Sequence, residues 1–504
     1  MDEAGINRLR RERQIRAAQG LAVQPRQRTR REAFIDKLPR VGAKKIAAET
    51  RKTHFAEIYH GLEACDAEYE SERCLYCAQK AWCNWTCPLH NHIPDFIRLV
   101  NKGNVIEAAE LCHQSSSLPE ICGRVCPQDR LCEGACTLKN EGGSVTIGNL
   151  ERYITDSALA MGWRPSVGHV VPRKERVAVI GAGPAGLGCA DILARAGVQV
   201  AVFDRHPEIG GLLTFGIPPF KLDKSILRVR REIFSEMGIT FHLNHEVGRD
   251  VAFNDLVAGY DAVFLGVGTY GLMAAGLEGE DAAGVIQALP FLIASTREVM
   301  GLEESPEYPL TEIKGKRVVV LGGGDTAMDC LRTAVRRGAA SVTCAYRRDE
   351  LSMPGSKKEV VNAREEGVEF QFNVQPQYIL RNRKGQVSAV GMIRTEMGEP
   401  GADGRRRPQP LVGSEFELPA DVLIMAFGFQ AHDMPWLRGH GIQLDRWGQI
   451  RTGGKGRGTT QTDNDKIFAG GDAVHGADLV VTAMVAGRQA AHEMLDLFRN
   501  KEGI

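Results

Sequence analysis

Four cysteines fall at positions 74, 77, 83 and 87 in "RCLYCAQKAWCNWTC", and Pro88 follows the last. Their spacing is C-x2-C-x5-C-x3-C-P. A second group, "ICGRVCPQDRLCEGAC", sets cysteines at 122, 126, 132 and 136, with Pro127 after the second. Thiolates gathered by tight turns bind metal. Bacterial iron–sulfur runs read C-x2-C-x2-C-x3-C-P, so the ending agrees and the middle gap is longer here. Two groups suit two [4Fe–4S] cubanes, because each iron takes a thiolate; two Zn(Cys)4 sites would use the same donors. Disulfides suit less well: ten of the 13 cysteines lie between 65 and 136, and no export signal accompanies them. Cys65 and Cys112 fall outside both groups and read as packing residues.

A second chemistry is written in glycines. "ERVAVIGAGPAGLGCADILARAGVQVAVFDR" spans 175–205 and is a complete βαβ unit. Val177–Ile180 is apolar throughout, Gly181, Gly183 and Gly186 form G-x-G-x-x-G, and the second strand ends at Asp204. The first glycine permits the turn, the second lets backbone approach a pyrophosphate, and the third packs helix on strand. Asp204 is placed to bind a ribose hydroxyl. "KRVVVLGGGDTAMDCLRTAVRRGAASVTCAYRRDE" (316–350) repeats the unit with Gly322, Gly324 and Ala327. Its second strand ends not in an acid but in Tyr346, Arg347 and Arg348. Guanidinium forks suit a 2′-phosphate, which an acid would repel, so this site is expected to take NADPH. A solvated arginine pair is the alternative.

"KIFAGGDAVHGADLVVTAMVAGRQAAHEML" (466–495) adds a short strand ending in Gly470, Gly471 and Asp472, with a helix beginning near Leu479. Flavoproteins with two dinucleotide domains use this device, the Asp holding the ribityl and phosphate part of FAD and the helix dipole stabilising reduced flavin. One FAD domain is then built from both flanks of an inserted NADPH domain, with crossings at "LGVGT" (265–269) and "MAFGF" (425–429). "IPDFIRLVNKGNVIEAAELCHQ", between the cysteine groups, has apolar residues at helical spacing. The expected fold is α/β: two Rossmann-like dinucleotide-binding domains (FAD, NADP) preceded by a small α-helical domain with two iron–sulfur clusters. The expected divisions are a basic arm at 1–52, the helical domain at 53–170, FAD segments at 171–295 and 425–504, and the NADPH domain at 296–424.

Charge narrows the classes further. The 63 Lys and Arg balance 63 Asp and Glu over 504 residues, which argues against a nucleic-acid or membrane partner. Residues 1–52 nonetheless carry 15 basic against 6 acidic groups, as a flexible arm or docking segment would. No apolar stretch has the length of a membrane span, and a cytoplasmic protein is expected.

Five stretches together resemble one family: "PEICGRVCPQDRLCEGAC", "FDRHPEIGGLLTFGIPPFKL", "VVLGGGDTAMDC", "CAYRRDELSMPGS" and "IFAGGDAVHGADLVVTA". The chain resembles, over roughly residues 52–500, the small (β) subunit of bacterial NADPH-dependent glutamate synthase. The electron-input half of dihydropyrimidine dehydrogenase is similar. The resemblance implies FAD, NADPH and two [4Fe–4S] clusters with interleaved ligands. Cys74, Cys77, Cys83 and Cys136 would hold one cluster; Cys87, Cys126, Cys132 and Glu151 would hold the other, leaving Cys122 spare. Within the same stretches it adds Gly211 and Thr482 to the FAD contacts, and Asp325 and Thr326 to the NADPH contacts. The long gap before Cys83 and the extended arm depart from the family pattern.

These parts imply hydride transfer from NADPH to FAD and single-electron transfer through the clusters. No nucleophile–His–acid set is evident, and Cys189, Cys330 and Cys344 are too scattered for a thioredoxin-reductase dithiol. The chain holds no room for glutaminase chemistry or an FMN barrel. The resemblance therefore implies a hetero-oligomer whose FMN-bearing large (α) subunit makes L-glutamate from L-glutamine and 2-oxoglutarate. The alternative is a related, ferredoxin-coupled NADPH flavoprotein serving another acceptor.

Overall fold

The structure, a computed structural model, describes residues 39–77, 81–401, 406–454 and 456–502. Residues 1–38 of the expected arm and Ala78–Lys80 of the long cysteine gap lie outside these. Residues 39–52, at the arm's other end, are docked. Arg40 pairs with Glu133, Lys45 with Glu365, and Arg51 with Glu365 and Glu366.

Among the described residues, six helices form the cysteine domain: Ala64–Arg73, Trp82–Thr86, Ile93–Asn101, Val105–Ser115, Pro119–Val125 and Ile147–Ala160. Phe96, Ile97, Ala108, Cys112, Leu150 and Ile154 meet in its core, so Cys112 is a packing residue. The cysteine groups sit at helix ends and in turns, where backbone N–H groups face the thiols. This domain docks on the next through buried charge: Arg230 binds Glu120 at 2.6 Å and His113 at 3.0 Å.

Two parallel five-stranded sheets follow. The first runs Ile467–Ala469, Ala262–Leu265, Arg176–Ile180, Gln199–Asp204, Thr240–Leu243. These apolar strands are buried because helices cover both faces. Ile467–Ala469 comes from far along the chain and pairs parallel with Ala262–Leu265, so this sheet takes strands from both sides of the second sheet in sequence. The helices Pro184–Arg195 and Val480–Glu502 lock the two sides together at glycines. A Cβ on Gly487 would lie 1.8 Å from the Ala185 carbonyl oxygen, and one on Gly188 would lie 2.7 Å from that of Met484.

The second sheet runs Val285–Gln287, Val422–Met425, Arg317–Leu321, Ser341–Tyr346, Glu369–Phe372. Its domain begins earlier than the expected residue 296. Val285–Gln287 pairs with Val422–Met425, and Phe291 and Leu292 of the next helix pack on Val318 and Val320. A three-residue strand is too short to display a period in sequence. The crossings fall beside 265–269 and 425–429, where Gly271–Leu272 pairs antiparallel with Phe429–Gln430. An antiparallel sheet spanning Val374–Pro419, not anticipated from sequence, is inserted in this domain.

The three parts converge on Glu366. Its buried carboxylate accepts from Arg51 at 2.8 Å, from Arg332 at 2.8 Å and from Arg336 at 2.6 Å. Phe220 of the FAD domain lies under the guanidiniums of Arg332 and Arg336, at 4.5 and 4.0 Å, and its carbonyl accepts from Ile58 N–H at 3.1 Å. Burial alone would raise the Glu366 pKa; hydrogen bonds from Arg336 and Arg332 pull it to about 2.

Glu366→Gln leaves buried Arg336 without a counter-charge and takes one of two carboxylate partners from Arg51 and from Arg332, which keep Glu365 and Glu359. The substitution should lower unfolding free energy by about 3–5 kcal/mol in urea melts at neutral pH. The depressed pKa means that this stability is present above the ordinary carboxylate value of 4.5 and lost as pH falls toward 2. The gap between wild type and variant should therefore narrow on acidification through that window; a gap independent of pH would show that the carboxylate charge is not its source.

Candidate functional site

At the first dinucleotide loop, Gly181 has φ +98°, a left-handed conformation that favours glycine, and a Cβ there would lie 2.4 Å from the Gly266 carbonyl oxygen. On Gly186 a Cβ would lie 1.8 Å from the Gly181 carbonyl oxygen, so its smallness is structural. Gly183 is different. Its backbone is ordinary (φ −75°, ψ −177°), and nothing lies within 4 Å of an added Cβ. That open space at a helix N-terminus is the cradle a pyrophosphate would fill. Gly324 repeats it, with φ −86°, ψ 178° and equally open space.

Asp204 is buried at the end of its strand. Its carboxylate accepts from Ala182 N–H at 2.7 Å and His206 N–H at 2.8 Å, so it braces the glycine loop from below. Burial raises its pKa. Gly211 stands opposite; its Cβ would lie 3.1 Å from Gly183 Cα. Asp472 follows Gly471 (φ +71°), and burial raises its pKa to about 7. Thr482 is turned to its own helix: its hydroxyl donates to the Asp478 carboxylate at 2.9 Å and the Leu479 carbonyl at 2.8 Å.

A cavity of about 720 Å³ joins these elements. Gly181, Gly183, Asp204, Gly211 and Asp472 line it on the FAD side, Asp325 and Thr326 on the NADPH side, and Cys126 and Pro127 on the cysteine side. Asp325 accepts from Ser356 N–H at 2.8 Å, and Ala327 is buried behind it. Lys221 and Asp329 form a 2.7 Å ion pair across the domain boundary in the cavity wall. Sequence reasoning gave neither a role, although Lys221 lies inside "GIPPFKL". Arg347 and Arg348 are not in this wall. They stand where the strand Ser341–Tyr346 ends, Arg347 exposed and Arg348 with its Nε buried and unbonded. The Arg347 carbonyl accepts from the Thr395 hydroxyl at 2.9 Å, so the inserted sheet holds this corner.

The thiols sort into two sets by position. Cys74, Cys77, Cys83 and Cys136 line one cavity of about 30 Å³ with Leu75, Ile93 and Val145. Burial raises the Cys74 thiol pKa strongly, and the neighbouring Cys83, Cys136 and Cys77 add to the rise. Burial and the same neighbours push Cys83 to about 12. Cys87, Cys126 and Cys132 gather instead around the buried Glu151. Burial pushes Cys87 to about 11, and Glu151 contributes. Cys126 is raised first by its hydrogen bond with Cys122, then by burial and by both neighbours, Cys122 and Glu151. Glu151 is itself pushed to about 8 by burial, and Asn91 donates to it at 2.9 Å. Soft sulfur donors lining a space, with their charged forms disfavoured until a cation arrives, fit an iron–sulfur group. Among the described residues, no three His, Cys, Asp or Glu converge as ligands of a single metal ion would.

Two dinucleotide domains of this topology, sharing a cavity that reaches a cysteine-lined helical domain, define an iron–sulfur pyridine-nucleotide flavoprotein. Residues 51–163 match the family described as dihydropyrimidine dehydrogenase domain II, 4Fe-4S cluster, and 175–487 match pyridine nucleotide-disulphide oxidoreductase. The glutamate synthase [NADPH] small chain of Escherichia coli (strain K12) is 60% identical over 463 residues, 92% of this chain and 98% of that one. The putative oxidoreductase UacF of the same organism is 72% identical over 501 residues, 99% of this chain and 78% of that one. FprA from Mycobacterium tuberculosis shares the fold, with TM-score 0.55 at 20% identity, covering 66% of this chain and 86% of that one. The chain belongs to the family of the NADPH-dependent glutamate synthase small chains. It is an NADPH-dependent iron–sulfur flavoprotein oxidoreductase whose cofactors are FAD, NADPH and 4Fe–4S clusters. No helix among the described residues is long and apolar enough to cross a membrane.

The two open cradles give a direct test. Gly183→Ala should fold as wild type by circular dichroism yet lose FAD on purification, whereas Gly324→Ala should keep FAD and raise the Kd for NADPH by tenfold or more, roughly the loss of one charge-assisted contact. Normal binding in both would mean that the open space is not where the phosphates sit.

Proposed function

We propose that this chain is the NADPH-oxidising, electron-input subunit of glutamate synthase. The observation that supports it most is the cavity running from Gly183 and Asp472 past Asp325 to Cys126. It lets one fold align a hydride donor, a flavin and a cysteine-held relay. FAD supplies the needed chemistry, accepting a hydride and releasing electrons singly. The residues bind and orient. Gly181, Gly183, Gly186, Gly211 and Gly471 shape the FAD pocket, Asp204 and Asp472 take its hydroxyl groups, and Thr482 stiffens the helix start that faces the ring. Gly322, Gly324, Asp325, Thr326 and Ala327 form the NADPH loop, and Arg347 and Arg348 take the 2′-phosphate. Cys74, Cys77, Cys83 and Cys136 hold one 4Fe–4S cluster; Cys87, Cys126, Cys132 and Glu151 hold the other. The acceptor in this reading is the FMN-bearing large subunit, which makes L-glutamate from L-glutamine and 2-oxoglutarate.

One observation favours a second reading, a related flavoprotein serving a different acceptor. The match to UacF takes in 99% of this chain, basic arm included, at 72% identity, against 92% at 60% for the small chain.

Reconstitution separates them. Anaerobically purified protein should hold about eight iron and eight sulfide per chain, the content of two cubanes. Mixed with a glutamate synthase large subunit, it should support NADPH- and glutamine-dependent glutamate formation. Loaded protein that reduces dyes but gives no glutamate would leave only the second reading. Replacing Arg347 and Arg348 with Ala should weaken NADPH roughly ten- to a hundredfold while sparing NADH; equal losses for both cofactors would make the pair structural.

A further inference from the structure

One guanidinium of the cysteine domain reaches the glycine loop of the NADPH domain. Arg130 stands in the turn between Cys126 and Cys132, and the turn is tightly built. Arg130 N–H donates to the Pro127 carbonyl at 2.9 Å, and Leu131 N–H to that of Gln128 at 3.1 Å. A Cβ on Gly134 would lie 2.2 Å from the Asp129 carbonyl oxygen, so the chain has closed on itself here. From this base the side chain crosses to Asp325, with Nη2 3.5 Å from the carboxylate, while Nη1 lies 3.5 Å from the Pro354 carbonyl oxygen. Asp325 opens the helix behind the Gly324 cradle, and both it and Arg130 line the large cavity.

These contacts are too slack to be what docks the domains. Charge-assisted bonds close to about 2.7–2.9 Å. The pairs that join the NADPH domain to the rest do so, Lys221 with Asp329 at 2.7 Å and Arg51 with Glu366 at 2.8 Å. The Arg130 and Asp325 side chains are instead 49% and 43% exposed, and an ion pair so wetted contributes little to stability. Asp325, by contrast, is fixed. One carboxylate oxygen accepts from Ser356 N–H at 2.8 Å, and the neighbouring Gly355 N–H donates to the Gly323 carbonyl at 2.9 Å. An acid held at the mouth of a phosphate cradle repels the ligand that the cradle admits. A guanidinium beside it cancels that repulsion and has donors to spare in a fork that matches phosphate oxygens.

We propose that Arg130 is an NADPH-binding residue supplied by the cysteine domain: it neutralises Asp325 and turns its remaining donors to the pyrophosphate. The proposal rests on the placement of the NADPH phosphates at Gly324. Its task differs from that of Arg347 and Arg348, which stand outside the cavity wall where Ser341–Tyr346 ends. The pyrophosphate is common to NADPH and NADH, so Arg130 adds affinity for both without choosing between them. The domain that carries the thiols thereby completes the nucleotide site.

The test uses full-length protein loaded with FAD and iron, and calorimetric Kd values for NADP+, NAD+ and adenosine 2′-monophosphate, which carries the 2′-phosphate alone. Arg130→Met should weaken NADP+ and NAD+ alike, by about tenfold at about 50 mM salt and by less at about 300 mM, and leave adenosine 2′-monophosphate unchanged. Arg130→Lys keeps the charge and should retain most of the affinity. Adding Asp325→Asn to Arg130→Met should recover part of the loss, because the amide oxygen can still accept from Ser356 N–H while the repulsion is gone. Unchanged Kd values for both dinucleotides, or a loss confined to NADP+, overturn the proposal. So does an equal loss for adenosine 2′-monophosphate, which would make Arg130 a support of the fold. Weak NADP+ binding in Gly324→Ala with normal binding in Arg130→Met would sink this inference alone, whereas normal binding in Gly324→Ala would remove the phosphate placement beneath it.

Discussion

A single buried carboxylate, Glu366, fixes how the three parts of this molecule stand against one another. A charge withdrawn from water costs several kcal/mol unless it is paired and hydrogen-bonded. Glu366 meets that demand through Arg332 and Arg336 of its own domain and Arg51 from the segment ahead of the cysteine domain. Few arrangements satisfy all three guanidiniums at once. The Phe220 ring beneath two of them ties in the FAD domain, and Lys221, the next residue, reaches Asp329 in the cavity wall. The ionic junction thus shapes the space in which chemistry occurs. Hydride transfer demands reacting atoms within about 3–3.5 Å, and a cavity between domains needs rigid joints of this kind.

Small residues do the complementary work where backbones must touch. The two flanks of the FAD domain are brought together because Gly188 and Gly487 let their helices approach until a methyl group would clash. The glycines of the dinucleotide loops divide differently. Gly181 and Gly186 are required by conformation and packing, whereas Gly183 and Gly324 leave room that the fold does not itself use. That difference separates structural glycines from those that serve a ligand.

Much of this was legible in sequence because the signals are local. A βαβ unit announces itself through an apolar strand, a glycine loop and a helix in register, and both units lie where their motifs put them. Three features escaped, one of them the inserted sheet spanning Val374–Pro419. Val285–Gln287 is too short to show alternation, so the second domain was expected to start too late. The docking of residues 39–52 was hidden as well, since a basic segment looks the same whether its charges face water or Glu365 and Glu366.

The sequence by itself determined which chemistry is possible: two phosphate-binding turns, a strand–Gly-Gly-Asp turn and two runs of thiols, each set by covalent neighbours a few residues apart. Only the tertiary structure decided how these combine. Cys136 lies far along the chain from Cys74, yet it lines the cavity of Cys74, Cys77 and Cys83, while Cys87 turns away toward Cys126, Cys132 and Glu151. Thr482, within a motif, is engaged with its own helix, and Lys221, without a motif, lines the cavity. Spacing constrains only what one turn of chain can reach; partners across a domain boundary are selected by packing and by the cost of leaving a buried charge alone.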